Sequence, residues 1–345
     1  MNLKESVSSL VKDLLGVALL LAFLLLFFNI DKIKNTSTLS DLPDSIVNVN
    51  TIFISIIIEA FPFILLGVFV SALIQIYVSE DTIQKYLPKS ALGALFPAAI
   101  LGAIFPICEC AIVPVVRRLI KKGMPLHVGV VFLVGAPILN PVVFASTYFA
   151  FRNNPTVLYS RMGLAFILAI LIGAIIYFIF RKNSDQLKWS KEELLGKQVV
   201  QKVPVAVTTK TARVKQTMYH AADEFFMMGK YLIAGAFIAA LFQTFLDRSV
   251  LQALGSNEYS ATFVMMAFAY VLSLCSEADA FVAASFANNF TTSSIIAFLV
   301  YGPMIDLKNT IMLLAFFKTK FVLVFISTVT AVVFGSVLFL HFFIL

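Results

Sequence analysis

Long uncharged stretches separated by short polar ones run the length of this chain. Residues 14–30, 90–108, 128–151, 162–180, 231–246, 280–305 and 321–345 contain no Asp, Glu, Lys or Arg. Roughly 20 apolar residues cross a bilayer core as a helix, and most of these runs approach that length. The pattern predicts helices at about 14–30, 51–78, 126–151, 157–180, 222–246, 292–317 and 321–343. Two further stretches, 90–122 and 259–290, are apolar but interrupted by polar residues.

Composition turns the pattern into a fold class. The 345 residues are 60% apolar and 13% charged, with 35 phenylalanines and a mean hydropathy of +0.94. A soluble protein of this size could not hide so much apolar surface. The expected class is therefore an all-α polytopic membrane protein with about eight membrane segments or more, multi-pass in a bacterial plasma membrane, its first partner the lipid bilayer. The opening MNLKESVSSLVKDLL enters an apolar stretch without a small-residue cleavage site, so it reads as a retained first helix. The net charge of +7 reflects Lys and Arg in cytoplasmic loops rather than a nucleic-acid partner. Nine cations between Arg181 and Lys215 mark a basic cytoplasmic linker. The expected divisions are 1–50 (an extra helix and outer loop), 51–180 (a first transmembrane repeat), 181–221 (the linker) and 222–345 (a second repeat).

The two long divisions resemble each other. "LLGVFVSALIQ" ends at Gln75 and "LIAGAFIAALFQ" at Gln243. A constant offset of 168 pairs Gly67 with Gly235, Gln75 with Gln243 and Glu109 with Glu277. A two-residue shift then aligns "GAPILNP" with "YGPMIDL", setting Pro137 over Pro303 and Asn140 over Asp306. Ordered weak similarity of this kind is the mark of an internally duplicated transporter. The basic loops suggest how the halves are oriented. A single spanning helix over 90–122 would carry Arg117, Arg118, Lys121 and Lys122 outside, against the positive-inside tendency. A re-entrant hairpin turning near Phe105-Pro106 returns them to the cytoplasm, and 259–290 is then a second hairpin entering from outside. The expectation is two inverted repeats with broken or re-entrant helices.

Breaks and buried acids supply the candidate chemistry. Pro106, Pro114, Pro137, Pro141, Gly302 and Pro303 are the expected helix breaks, since proline removes a helical donor and clashes with the preceding turn. Non-helical backbone at membrane depth survives only inside protein or along a water-filled cavity. Glu109, Glu277, Asp279 and Asp306 interrupt apolar runs. An aspartate at mid-helix costs roughly 2.5–3.5 kcal/mol to insert, so four acids facing lipid would cost on the order of 10 kcal/mol. They must be paired, protonated or set along a polar path, and proton coupling is the chemistry they suggest. Asn140, within "GAPILNP", joins them as a candidate substrate contact. Cys108, Cys110 and Cys275 are too few for a disulfide framework, but they suit a soft ligand if they share a cavity. No HExxH, GxSxG or Walker A pattern is present, which argues against an enzyme and against resident cofactor or metal sites.

The block "FPICECAIVPVVRRLIKKGMPLHVGVVFLVGAPILNPVVFASTYFAF", with "LCSEADAFVAASF" in the second half, resembles the ArsP/YraQ-type predicted permeases over roughly residues 50–345. The resemblance implies a membrane permease. In its arsenical branch it implies export of trivalent organoarsenicals, with Cys108 and Cys110 as the thiol candidates. Glu109 stands where that branch has a small residue, which brings the chain nearer the YraQ-like members and leaves the solute open. The expected function is a secondary permease exporting a small solute, thiophilic or metalloid in character, with protons as the coupling ion. An accessory subunit of a larger complex is the alternative, and a thiol–disulfide enzyme ranks below it. A second copy of the chain or a companion membrane protein is compatible with either reading.

Overall fold

The computed structural model describes residues 44–77, 90–104, 108–183, 185–188, 210–245, 258–287 and 289–343. The helix expected at 14–30 lies outside these residues, as does the proline at 106. Contacts divide the chain into 1–48 and 49–345. Of the first unit only the opening turn of α1 is described; the rest of that helix and all later ones belong to the second.

Twelve helices are described: α1 (Asp44–Tyr77), α2 (Leu95–Ile104), α3 (Glu109–Lys121), α4 (Leu126–Leu139), α5 (Pro141–Ala150), α6 (Pro155–Phe180), α7 (Lys210–Phe245), α8 (Glu258–Leu272), α9 (Asp279–Ser285), α10 (Thr292–Met304), α11 (Leu307–Phe316) and α12 (Thr319–Phe343). No strand occurs among the described residues; one isolated bridge joins Leu187 to Phe317. Among the described residues, six stretches are long and apolar enough to cross a membrane: Ser45–Ile74, Leu126–Ala150, Pro155–Phe180, Thr217–Phe245, Thr292–Phe316 and Thr319–Phe343. Two of these spans are themselves broken, α4 into α5 at Asn140 and α10 into α11 at Asp306. The α7 helix begins at Lys210, inside the stretch expected as linker, although its apolar span starts only at Thr217.

Close approaches define the directions of the elements. Along α4, His127 meets Tyr177, a Cβ on Gly173 would touch Val131, and one on Gly135 would touch Ala169, so α6 runs antiparallel to α4. His127 reaches the Ala91 carbonyl while Gly102 lies against Ala136, so α2 runs parallel to α4. Gly129 faces Ile120 and Val116, so α3 returns beside α4 in the opposite sense. The segments on either side of 105–107 therefore form a hairpin whose two feet stand at the N-terminal end of α4. That end carries Arg117, Arg118, Lys121 and Lys122, with Arg181 and Lys182 at the close of α6. Small residues let these backbones approach, as membrane helices require in the absence of a hydrophobic driving force between them.

The second half repeats this local arrangement. Thr262 meets Ser294 and Ala269 meets Gly302, so α8 runs parallel to α10. Ser293 pairs with His341 and Tyr301 with Thr330, so α12 is antiparallel to α10. Phe286, just past α9, packs on Phe268 of α8, so the chain doubles back here too. Across the halves, Phe180 packs against Phe321 while Phe53 and Phe61 of α1 face Phe237 and Phe225 of α7. The α1 and α7 helices are thus antiparallel. The feet of the second hairpin, with Glu258, Thr291 and His341 in one hydrogen-bonded and ion-paired group, lie at the end of α12 remote from Phe321.

One expected break is not a break: Pro114 sits inside α3 without ending it. Pro137, Gly302 and Pro303 lie within the last turns of α4 and α10, and each helix ends one or two residues past its proline or glycine. Proline removes one donor but allows the helix to continue when tertiary packing holds the turn. Only Pro141 opens a new helix, at the position where its missing N–H costs nothing.

Candidate substrate site

The first hairpin turns back into α3 at Cys108, and the second passes through Cys275–Ala278 before α9. Both turns meet the two broken helices, and this brings the candidate residues together. Glu109, in the first turn of α3, is completely buried. Its Oε1 lies 3.5 Å from Lys308 Nζ, and its Oε2 accepts from Ser276 Oγ at 3.4 Å. Lys308, equally buried, also sits 3.7 Å from Asp306 Oδ2 and donates to the Ser273 carbonyl at 3.2 Å. One ammonium thus joins the first hairpin, the second hairpin and the α10–α11 break. Ser273 has φ +48°, a left-handed conformation unusual for a non-glycine residue, at the point where α8 ends.

The two breaks are capped differently. Asn140 Oδ1 accepts from the amides of Val142 and Val143, and its Nδ2 donates to the carbonyls of Ala136 and Pro137. That side chain closes both helix ends by itself. Asp306 Oδ1 accepts from the Asn309 amide, while Oδ2 has no hydrogen-bond donor and only the Lys308 ammonium nearby.

A second ion pair stands beside the first. Arg161 of α6, fully buried, contacts both Asp279 oxygens at 2.9 and 3.0 Å, the Ser276 carbonyl at 3.2 Å and Thr147 Oγ1 at 2.6 Å. Glu277 lies within electrostatic range of Glu109 and Arg161, and its Oε2 has no hydrogen-bond partner. Glu59 of α1, half-buried, lies in the field of Glu277 and Cys275. The Cys108 and Cys110 thiols are within hydrogen-bond reach of each other, and both feel Cys275 or Glu109 nearby. All three cysteines are free and buried. Among the described residues no group of three or more His, Cys, Asp or Glu is arranged to hold a metal ion.

Cys108, Glu109, Cys110, Cys275, Glu277, Asp279 and Asp306 therefore lie in or beside one cluster, while the Asn140 side chain bonds within its own α4–α5 break. Two of the cluster's principal members, Lys308 and Arg161, are not among the residues the sequence singles out. Each is a cation at the edge of an apolar run, where sequence alone suggests an anchor in the headgroups. The usable signal is the pairing need of the acids, which requires cations somewhere within reach. Nearer the basic face, Arg118 meets Glu224 at 3.1 Å and Ser71 donates to the same carboxylate at 2.7 Å, tying α3, α7 and α1 together. Arg117 stacks on Phe316 of α11 at 4.5 Å.

A family model described as "Predicted permease" (ArsP_1) matches residues 45–342. A Bacillus subtilis protein called UPF0718 protein YcgR is 47% identical over 295 residues, covering 85% of this chain and 97% of its own length. A Streptococcus mutans protein called a putative two-component membrane permease complex subunit is 40% identical over 297 residues, covering 85% of this chain and 94% of its own. No solved structure matches.

Proposed function

We propose that this chain, which belongs to the predicted permease family and is a multi-pass membrane protein, is a secondary permease exporting a small solute through the buried cluster at the two hairpin turns, with protons as the coupling ion. The charge balance of that cluster carries the reading. Among the described residues, the buried Glu109, Asp279 and Asp306 form their ion pairs with Lys308 and Arg161, while the half-buried Glu277 and Glu59 lie in the same field. Carboxylates therefore outnumber cations in the cluster, and holding all of them charged out of water would be costly. Protons or a cationic solute must supply the balance. A site that exchanges the two is a coupled transporter.

The arrangement of helices supports the same reading. Antiparallel α1 and α7, together with two similarly built hairpins based at opposite ends, are what two inverted repeats would produce. Sites made from broken helices near mid-depth suit alternating access. The thiols of Cys108 and Cys110, with Cys275 close by, favour a thiophilic or metalloid solute. A family of permeases implies transport rather than catalysis.

The test is accumulation of a trivalent methylated arsenical in inside-out vesicles under an imposed pH gradient. Intact protein is expected to accumulate it. The Cys108→Ser/Cys110→Ser variant is expected to lose at least about tenfold, and Glu109→Gln to lose the dependence on the gradient. No uptake by intact protein removes the arsenical solute, while uptake indifferent to the gradient removes proton coupling. A second reading, an accessory subunit, draws support from the name of the Streptococcus relative. Co-purification of a stoichiometric membrane partner, with transport only in its presence, would favour it.

A further inference from the structure

A separate cavity of about 480 Å³ opens on the basic face, away from the central cluster. Its walls come from the foot of the first hairpin, the start of α4, the end of α6 and the linker. Lys121 and Arg181 line it together with His127 and Tyr177, and Ile176 and Phe180 form part of its apolar side. The Arg181 guanidinium sits 5.8 Å above the Tyr177 ring, and His127 is buried with Nε2 on the Ala91 carbonyl. Pro125 precedes α4, and no side chain caps the first amides of that helix. Asp185 also lines the cavity and lies 3.9 Å from Lys318; Lys121 and Arg181 against this one carboxylate leave the described lining with a net positive charge.

We propose that this cavity binds the headgroup of an anionic phospholipid. Volume and lining chemistry converge on that occupant. The cavity is of ligand size. It stands where apolar helix gives way to the basic face, so one wall meets acyl chain and the other meets phosphate. Basic pockets between helices on the cytoplasmic side are built for such headgroups. Uncapped amides at the start of α4 add further donors for phosphate oxygens.

Occupation would have a mechanical consequence. The linker segment beside the cavity is pinned to the α11–α12 joint: Lys188 N donates to the Phe316 carbonyl, Lys318 N to the Gln186 carbonyl, and Lys318 Nζ to the Asp185 carbonyl. A bound lipid would therefore brace the first hairpin and α6 against the second half. This inference does not depend on the solute proposed above, because binding can be read without transport.

Full-length protein is placed in nanodiscs containing equal phosphatidylglycerol and phosphatidylcholine, released into detergent, and examined by native mass spectrometry for retained lipid. Intact protein is expected to keep phosphatidylglycerol selectively. Lys121→Gln/Arg181→Gln should lower that selectivity by about tenfold or more. Arg152→Gln, outside the cavity, should leave it unchanged. Should the double Gln variant fail to fold, Lys121→Arg/Arg181→Lys is expected to retain the lipid. Equal retention of the two lipids by intact protein would overturn the inference. So would unchanged selectivity in the Gln variant, loss of selectivity in the Arg152 control, or displacement of the lipid by millimolar inorganic phosphate, which would mark a free-anion site.

Discussion

The two helix breaks occupy corresponding places in the halves, yet one is neutral and closed and the other charged and open. At the α4–α5 break, the Asn140 side chain satisfies two amides and approaches two carbonyls, leaving nothing for a ligand to do. At the α10–α11 break, Asp306 satisfies one amide and keeps an oxygen beside Lys308, which reaches across to Glu109 of the other half. The two breaks are similar in build, but the charged groups gather at one of them. Under the proposed function the neutral break holds geometry while the charged break carries the exchangeable groups.

Removing Lys308 attacks the charged break most directly. Lys308→Met strands Glu109 and Asp306, and breaking a buried ion pair on one side costs about 3–5 kcal/mol. The expected result is a steep fall in thermal stability in detergent. Adding Glu109→Gln and Asp306→Asn should recover much of it, because neutral partners no longer need the ammonium. A triple variant as unstable as the single one would show that Lys308 acts through packing instead.

Next in size is the fit of the helices around the two halves. A Cβ on Gly67 would fall 2.7 Å from the Ala111 backbone carbonyl, whereas one on Gly235 would fall 3.1 Å from Lys308 Cα. Overpacking costs about 1–3 kcal/mol. Gly67→Ala should approach the upper end, and Gly235→Ala should be milder in stability. The second substitution displaces the backbone carrying Lys308, so it should lower transport more than its stability cost implies. Thermal melts beside vesicle transport assays would separate the two.

The smallest stability effects distinguish the caps. Asn140→Ala loses a helix cap, worth about 1 kcal/mol, and should reduce stability while retaining some transport. Asp306→Asn preserves an acceptor for the Asn309 amide, so its melting temperature should change little while transport falls by about tenfold or more. Equal behaviour of the two variants in transport would erase the proposed difference between the breaks.

Much of this arrangement is legible in the residues, for reasons particular to each. The apolar stretches 126–151, 157–180 and 321–343 read as helices because a bilayer admits almost nothing else. Glu109, Glu277, Asp279 and Asp306 stand out because insertion makes an acid costly wherever it is. Their cationic partners do not stand out. Lys308 follows an acid at a break, and Arg161 sits one residue before an uncharged run, so both look like interfacial anchors. Proline misleads in the opposite direction at one place: Pro114 looks like a break, but the surrounding packing carries α3 through it, whereas α4 and α10 end within two residues of Pro137 and Pro303.

The sequence by itself determined class and ingredients: a helical membrane chain, with breaks expected within "GAPILNP" and "YGPMID", and acids and thiols where hydrocarbon would reject them. These follow from solvation, which acts on each residue without regard to distant ones. Tertiary structure alone decided who meets whom. Glu109 finds Lys308 across 199 positions, and Arg161 finds Asp279 across 118. No local propensity encodes those distances. They arise because tertiary packing brings the start of α3, the end of α8 and the α10–α11 break together, and a buried charge is stable only where folding delivers its counter-charge.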